Sequence, residues 1–541
     1  MAQIAYRANL LSGHFPFYSA YHGQTVIVPG RDQAFQNQVV IGQDSEDKDR
    51  GIPQLYYCHN VMPTHQGVQS IGFVDRVLPY PGAMDFNEIF IIRDEDENKF
   101  LFSPAAGSNY VFRANDNAWT KLSGPIASNN GLVTWAYING KTYIFYENVN
   151  IYEYDEIANT LDIVPIVGIT PADIKGICSS SGFLIAWDDF TVYRSQAVDI
   201  LDFTPDFSLG SGSSIPQDIA GRIIACLPIS NGFIIYTTKN AVSATWSQNI
   251  RYPFNYNEIT GSAGIIHPRH VAWQNNMSVH YAWTQAGLQK VDKVKAQIVY
   301  PELTDFLTAK IFEDYDITTD EFLIQQLSGQ VSVKIAVAGK RYLIISYGVT
   351  VPFTHALVHD LALKRWGKIK IEHVAAFEFY LPNLFGEVTW DMLEPFEWDD
   401  LEEATWDELA TGFETFENPK ELLAFIQVDG TVKTVNFDDV HTNDDGVAVF
   451  GRYQFIRERL LSLEEIEVEN VAQVVTNFTL KILTSISGKA FARKTTPYKV
   501  HDEPALERYL SHVEGKNHSL RFAGTFYLTF LGLKFVVKGH K

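Results

Sequence analysis

A chain of 541 residues, 46% hydrophobic and 20% charged, has a globular composition and is too long for one ordinary hydrophobic core. Its formal charge of −21 argues against tight nucleic-acid binding, which relies on Lys and Arg to neutralise phosphates. Its three Cys are too widely separated for a zinc framework or a disulfide scaffold, and no apolar run reaches the roughly 18 residues of a membrane span.

The opening "MAQIAYRANLLSGHFPFYSAYHG" has polar residues and a Pro where a signal peptide needs an apolar core. This predicts a reducing cytoplasm, in which Cys58, Cys178 and Cys226 are small buried apolar residues. The aromatic share of 13%, with 36 Phe and 26 Tyr, favours pleated sheet. "QTVIVPG" and "NQVVIGQ" read as N-terminal strands.

From about Gly67 to Phe437 short apolar runs alternate with turn residues. "NEIFIIRDEDENKFLFSPAAGSNYVFRANDNAWTKL" reads as four strands, and "LVTWAYINGKTYIFYENVNIYEYDEIANTLDIVPI" repeats the scheme. Asn139-Gly140 within the second is a two-residue hairpin signal, because a type I′ turn needs positive φ at both positions. Further units carry turns at Gly182, Asp188-Asp189, Asn231-Gly232, Lys239-Asn240, Ala286-Gly287, Ala338-Gly339 and Asp429-Gly430. A recurrence of about 40 residues with three or four strands each is the pattern of a β-propeller. Radial stacking buries both faces of each small sheet. Six or seven blades are expected, without the Gly-His…Trp-Asp signature of WD40 repeats.

Two insertions interrupt the repeat. "PELTDFLTAKIFE" and "TTDEFLIQQLS" show helical spacing, the second behind a Thr/Asp cap, and predict a helical insertion over about 301–328. The second is "TWDMLEPFEWDDLEEATWDELATGFETFENPK", an acidic insertion over about 387–418. Its pairs Trp390-Asp391, Trp398-Asp399 and Trp406-Asp407 recur every eight residues, and 12 carboxylates lie between Glu387 and Glu417 with no Lys or Arg. It offers too many carboxylates for a glycosidase pair, and lacks the one-in-two spacing and turn Gly of a calcium loop. The reading that remains is a solvated arm whose Trp390, Trp398 and Trp406, with Asp391, Asp399 and Asp407, form an interface.

The last 95 residues alternate well around the basic stretch "SGKAFARKTTPYKVHDEPALERYL". From Val447 onward there are 14 Lys and Arg against 9 Asp and Glu, a surplus of 5 that leaves −26 on the preceding residues. The whole therefore reads as all-β: a β-propeller over 67–445, and a β-sandwich or platform domain over 446–541 to which the segment 1–66 contributes.

No chemistry stands out. "GSGSS" (210–214) lacks the Lys-Ser/Thr of a phosphate loop, and GxSxG, HExxH and DxDxDG motifs are missing. His267 and His270 in "HPRHVAW" are three apart at a turn into a strand, with no third metal ligand suggested. No catalytic residue, cofactor or metal is expected.

Three stretches resemble the tail nozzle, or tail tubular protein B, family of short-tailed bacteriophages and the related phage hub and DNA-stabilisation proteins. They are "YYCHNVMPTHQGVQSIGF" (56–73), "GFLIAWDDFTVYRSQAVDILDFTPD" (182–206), and the region 231–292 with its "G-x-x-x-P-R-x-V" phrase. The resemblance implies a non-enzymatic virion protein, assembled in the host cytoplasm as a homo-hexamer ring at the tail tip. It implies attachment to the portal adaptor, or head-to-tail connector, and sites for tail fibre proteins. Phage DNA would pass through the channel without sequence-specific binding, and an acidic lining would let it slide. Two alternatives stay open on the residues: a propeller glycoside hydrolase or depolymerase, and a receptor-binding tail protein.

Overall fold

The computed structural model describes residues 3–9, 26–27, 39–41, 55–64, 67–77, 90–93, 99–105, 108–113, 118–123, 132–147, 149–155, 157–273, 278–300, 311–316, 321–326, 332–338, 341–348, 351–380, 421–436, 446–454, 460–470, 477–485, 491–497, 505–515 and 517–537. Seven four-stranded antiparallel blades follow one another in these residues. Blades 1 to 6 span 90–121, 133–163, 176–214, 223–258, 271–298 and 332–373. Blade 7 is composite: Ala375–Tyr380, Glu421–Ile426 and Val432–Asn436 are completed by the early strand Gly72–Val77. Joining the two ends of the repeat in one sheet closes the wheel without covalent help.

Seven apolar cores lie between successive blades, one per seam, including the seam from blade 7 back to blade 1. At that seam Tyr110 packs against Phe377 and Ile426. The Trp119 indole N–H donates to the Gly430 carbonyl at 3.0 Å. The second strand of each blade has a neighbouring blade on both faces. In blades 3 and 4 it is therefore buried along its length instead of alternating, as in Phe183–Trp187 and Gly232–Thr237, whose residues are all buried. The expected type I′ hairpin is present, with Asn139 at φ 52° and Gly140 at φ 78°. At Gly232 a Cβ would stand 2.1 Å from the Ala244 carbonyl oxygen, so only Gly fits.

The platform is a β-sandwich built from both chain ends. One layer orders Ala505–Gly515, Leu461–Asn470, Tyr527–Val537, Gln3–Asn9 and Val39–Ile41. The other contains Val447–Gln454, Asn517–Thr525, Asn477–Ser485 and Phe491–Pro497, with Leu55–His59 and Val26–Ile27 added at one edge. Leu463, Ile466, Leu533 and Phe535 of the first layer pack on Phe450, Phe478, Leu480 and Phe522 of the second. Both N-terminal runs, "QTVIVPG" and "NQVVIGQ", thus supply platform strands, paired parallel to their neighbours.

The helical insertion is a correction. Within 301–328 the structure describes a hairpin, Ile311–Asp316 paired with Glu321–Gln326. The Thr318-Thr319-Asp320 segment read as a helix cap lies outside the described residues. Phe312, Tyr315, Phe322 and Ile324 supply the aromatic and β-branched content that favours a strand.

Candidate functional site

The wheel's first strands face its axis. Trp135 belongs to the first strand of blade 2, Val133–Ile138, and Trp273 directly follows the first strand of blade 5, Val271–Ala272. These blades are three places apart, yet the two indoles stack with centroids 5.6 Å apart and planes at 27°. Side chains from non-adjacent blades meet only across the axis, so the hub holds an aromatic bridge. The "G-x-x-x-P-R-x-V" phrase delivers one half of it. Pro268–His270 form a 3-10 turn, the His267 side chain accepts the Arg269 backbone N–H, and the chain enters the inner strand at Val271. His267 and His270 are therefore turn residues, their rings 6.3 Å apart. His270 is pulled down to about 4, chiefly by burial and in part by the neighbouring His267 and Arg269. No group of three or more potential metal ligands occurs among the described residues.

The second built region is the joint between wheel and platform, and the 56–73 phrase forms it. Val61–Pro63 and Val68–Ser70 make a hairpin whose first strand pairs with the outer strand of blade 6, Arg365–His373, at Lys368. Its second strand pairs with Tyr527–Val537 of the platform. One hydrogen-bonded sheet thus runs from blade 6 into the sandwich. Asn60, left-handed at φ 50°, accepts the Lys370 amide on its Oδ1 at 2.9 Å and the Ile71 amide on its carbonyl at 2.9 Å. The Ser70 amide donates to the Phe526 carbonyl at 3.0 Å, and its hydroxyl oxygen accepts the Phe526 amide at 2.9 Å. Arg365 donates to the Thr64 carbonyl at 3.2 Å, and the Thr64 hydroxyl to the Tyr527 hydroxyl at 3.0 Å. Gly367 permits the approach: a Cβ there would sit 2.6 Å from the Val61 carbonyl oxygen.

The 182–206 phrase braces one blade to the next. Asp202 accepts from the Gln196 side chain at 2.6 Å and the Thr204 amide at 2.8 Å. Buried Phe203 donates its amide to Val167, on the chain leaving blade 2. Arg194, also buried, donates to the Ser214 hydroxyl at 3.1 Å, which in turn bonds the Tyr256 hydroxyl of blade 4 at 2.8 Å. Cys58, Cys178 and Cys226 are buried free thiols, as expected; burial pushes all three up, Cys58 to about 12.

Trp390, Trp398, Trp406, Asp391, Asp399 and Asp407 lie outside the described residues. What is described is where their segment is rooted. Tyr380 pairs with Glu421, so 381–420 interrupts the connection between the first two strands of blade 7. Sequence reasoning missed Trp135, Trp273, Asn60, Ser70 and Gly367. The available signal was position: each Trp sits in the run that opens a repeat unit, and Asn60 stands just before the first strand of the 61–70 hairpin.

The geometry defines a class of protein: a closed seven-bladed β-propeller mounted on a two-layer β-sandwich. No family model and no curated protein matches the chain. Among solved structures it is similar to the WD40 β-propeller domain of Doa1, at 10% identity and a TM-score of 0.36, over 68% of this chain and 97% of that one. A likeness of that size adds nothing to the sheet order, on which the fold assignment rests. No described helix is long and apolar enough to cross a membrane.

Proposed function

We propose that this chain is a structural virion protein, the nozzle of a short-tailed phage tail, arranged as a hexameric ring below the portal adaptor with tail fibre proteins attached. The observation that carries the reading is the unbroken sheet between blade 6 and the platform, because it turns a wheel into a fixed bracket. Of the three stretches that resemble the nozzle family, 56–73 forms the joint of that bracket, 182–206 braces neighbouring blades, and the third leads into the hub. The charge of −21 suits a surface past which DNA slides.

Co-purification with the adaptor, followed by negative-stain imaging, tests the proposal. A six-fold ring bound to the adaptor is expected. A monodisperse monomer that ignores the adaptor, or release of reducing sugar from host polysaccharide, would remove it.

A further inference from the structure

The Gly-Ser run 210–214 and the buried Arg194 meet at the outer end of the seam between blades 3 and 4. In the antiparallel pairing of Val192–Arg194 with Gly212–Ser214, Arg194 stands directly opposite Gly212. Cross-strand partners and residues two apart share a face, so Arg194, Gly212 and Ser214 lie on one side of the sheet. That side is the one turned to blade 4, where Ser214 bonds Tyr256.

Arg194 is only 7% exposed. Its Nε donates to the Gly210 carbonyl at 3.4 Å and its Nη1 to the Ser214 hydroxyl at 3.1 Å. It also acts on the Tyr256 hydroxyl, lowering by charge and hydrogen bonding a group that burial raises. A carbonyl and two hydroxyls are neutral partners, and among the described residues no carboxylate pairs with Arg194. Blade 6 treats its buried charge differently: the Asp360 carboxylate is matched by Arg341 at 2.9 Å. A buried charge left among neutral dipoles is costly, and its usual complement is an opposite charge.

Room for that charge lies beside Gly212, at φ 148°. A Cβ there would meet one atom within 4 Å, the Arg194 Nη2 at 3.7 Å. Two further charged groups belong to the adjoining loops. The Asp206 carboxylate is held by the Ser208 amide at 2.8 Å and hydroxyl at 2.6 Å. Arg251 is exposed and follows Ile250, whose carbonyl oxygen lies 2.9 Å from where a Gly210 Cβ would stand.

We propose that Arg194, Ser214 and Tyr256 hold one oxyanion, a phosphoryl or sulfuryl group, in the gap beside Gly212. The guanidinium presents a planar fork of donors suited to such a group. One of the two hydroxyls donates to the other, which leaves the second proton free for the anion. The cation that "GSGSS" lacks as a phosphate loop thus arrives from the neighbouring strand. The site stands whether or not the chain is a nozzle.

Isothermal titration of the intact protein with sodium phosphate and sodium sulfate, against sodium chloride at equal ionic strength, tests it. Saturable binding of one anion per chain is expected, weakened about 10- to 100-fold in Arg194→Gln. Gly212→Ala, which fills the gap and leaves Arg194 in place, is expected to weaken binding as well, and serves should Arg194→Gln fold poorly. Phenyl phosphate in a parallel titration separates the sources. Binding as tight as that of inorganic phosphate supports a group carried as an ester on a larger molecule, and its exclusion supports the free ion. No saturable binding by wild type, or binding unchanged in either variant that keeps the wild-type circular dichroism, overturns the proposal.

Discussion

Trp119 and the buried histidines show how single side chains carry the wheel's seams. The Trp119 indole reaches from blade 1 to the Gly430 carbonyl of blade 7, and Trp119→Phe strands that carbonyl. A loss of about 1–3 kcal/mol in denaturant unfolding is expected, with the fold retained. His280, His359, His373 and His518 are each pulled down to about 4 by burial. The unfolded chain binds these protons near 6.5 and the folded chain does not. Stability is thus full above about 6.5 and falls as pH drops toward 4, with little further loss from these groups below that. The slope is roughly 1.4 kcal/mol per pH unit for each histidine. Urea midpoints measured from pH 7.5 to 4 should show it, and a flat profile would contradict the burial of these rings.

At the scale of elements, the strand Gly72–Val77 closes the ring although it lies more than 300 residues from its sheet partners in sequence. Phe73 within it meets Phe425 edge-on at 6.4 Å and packs on the core between blades 6 and 7. Phe73→Ala is expected to cost roughly 2–4 kcal/mol and to lower the thermal midpoint more than a rim substitution such as Val294→Ala. Repeat period, strand content and Gly turns were legible in the sequence because each is local: Asn139-Gly140 states its own turn. The composite blade was not, because nothing in "GFVDRV" names the strand it joins. The second strands also ran against the alternating rule, since "FLIAW" and "GFIIYT" are buried on both faces. The 301–328 segment misled for the opposite reason, as its apolar residues fit a helical spacing while Phe312, Tyr315, Phe322 and Ile324 also suit a strand.

For the whole molecule, the shared sheet makes wheel and platform one cooperative unit. Calorimetry of wild type should give a single transition. Gly367→Val would force a side chain against the Val61 backbone and is expected to split that transition in two by uncoupling the halves. A split already present in wild type would show the joint to be weaker than its bonds suggest. The site-level reading remained beyond the sequence because the residues that matter are structural joints. Trp135 and Trp273, or Ser70 and Phe526, acquire meaning only when the chain has brought them together from distant positions.

The strand pairing that carries blade 6 into the sandwich also sets how load travels. A tug on the rim of the wheel reaches the platform through the short strand pairings at Val61 and at Val68–Gln69 and the Asn60 and Ser70 clamps, and not through a slack tether. Such a bracket resists twisting as a single stiff part, so any compliance has to lie outside the joint.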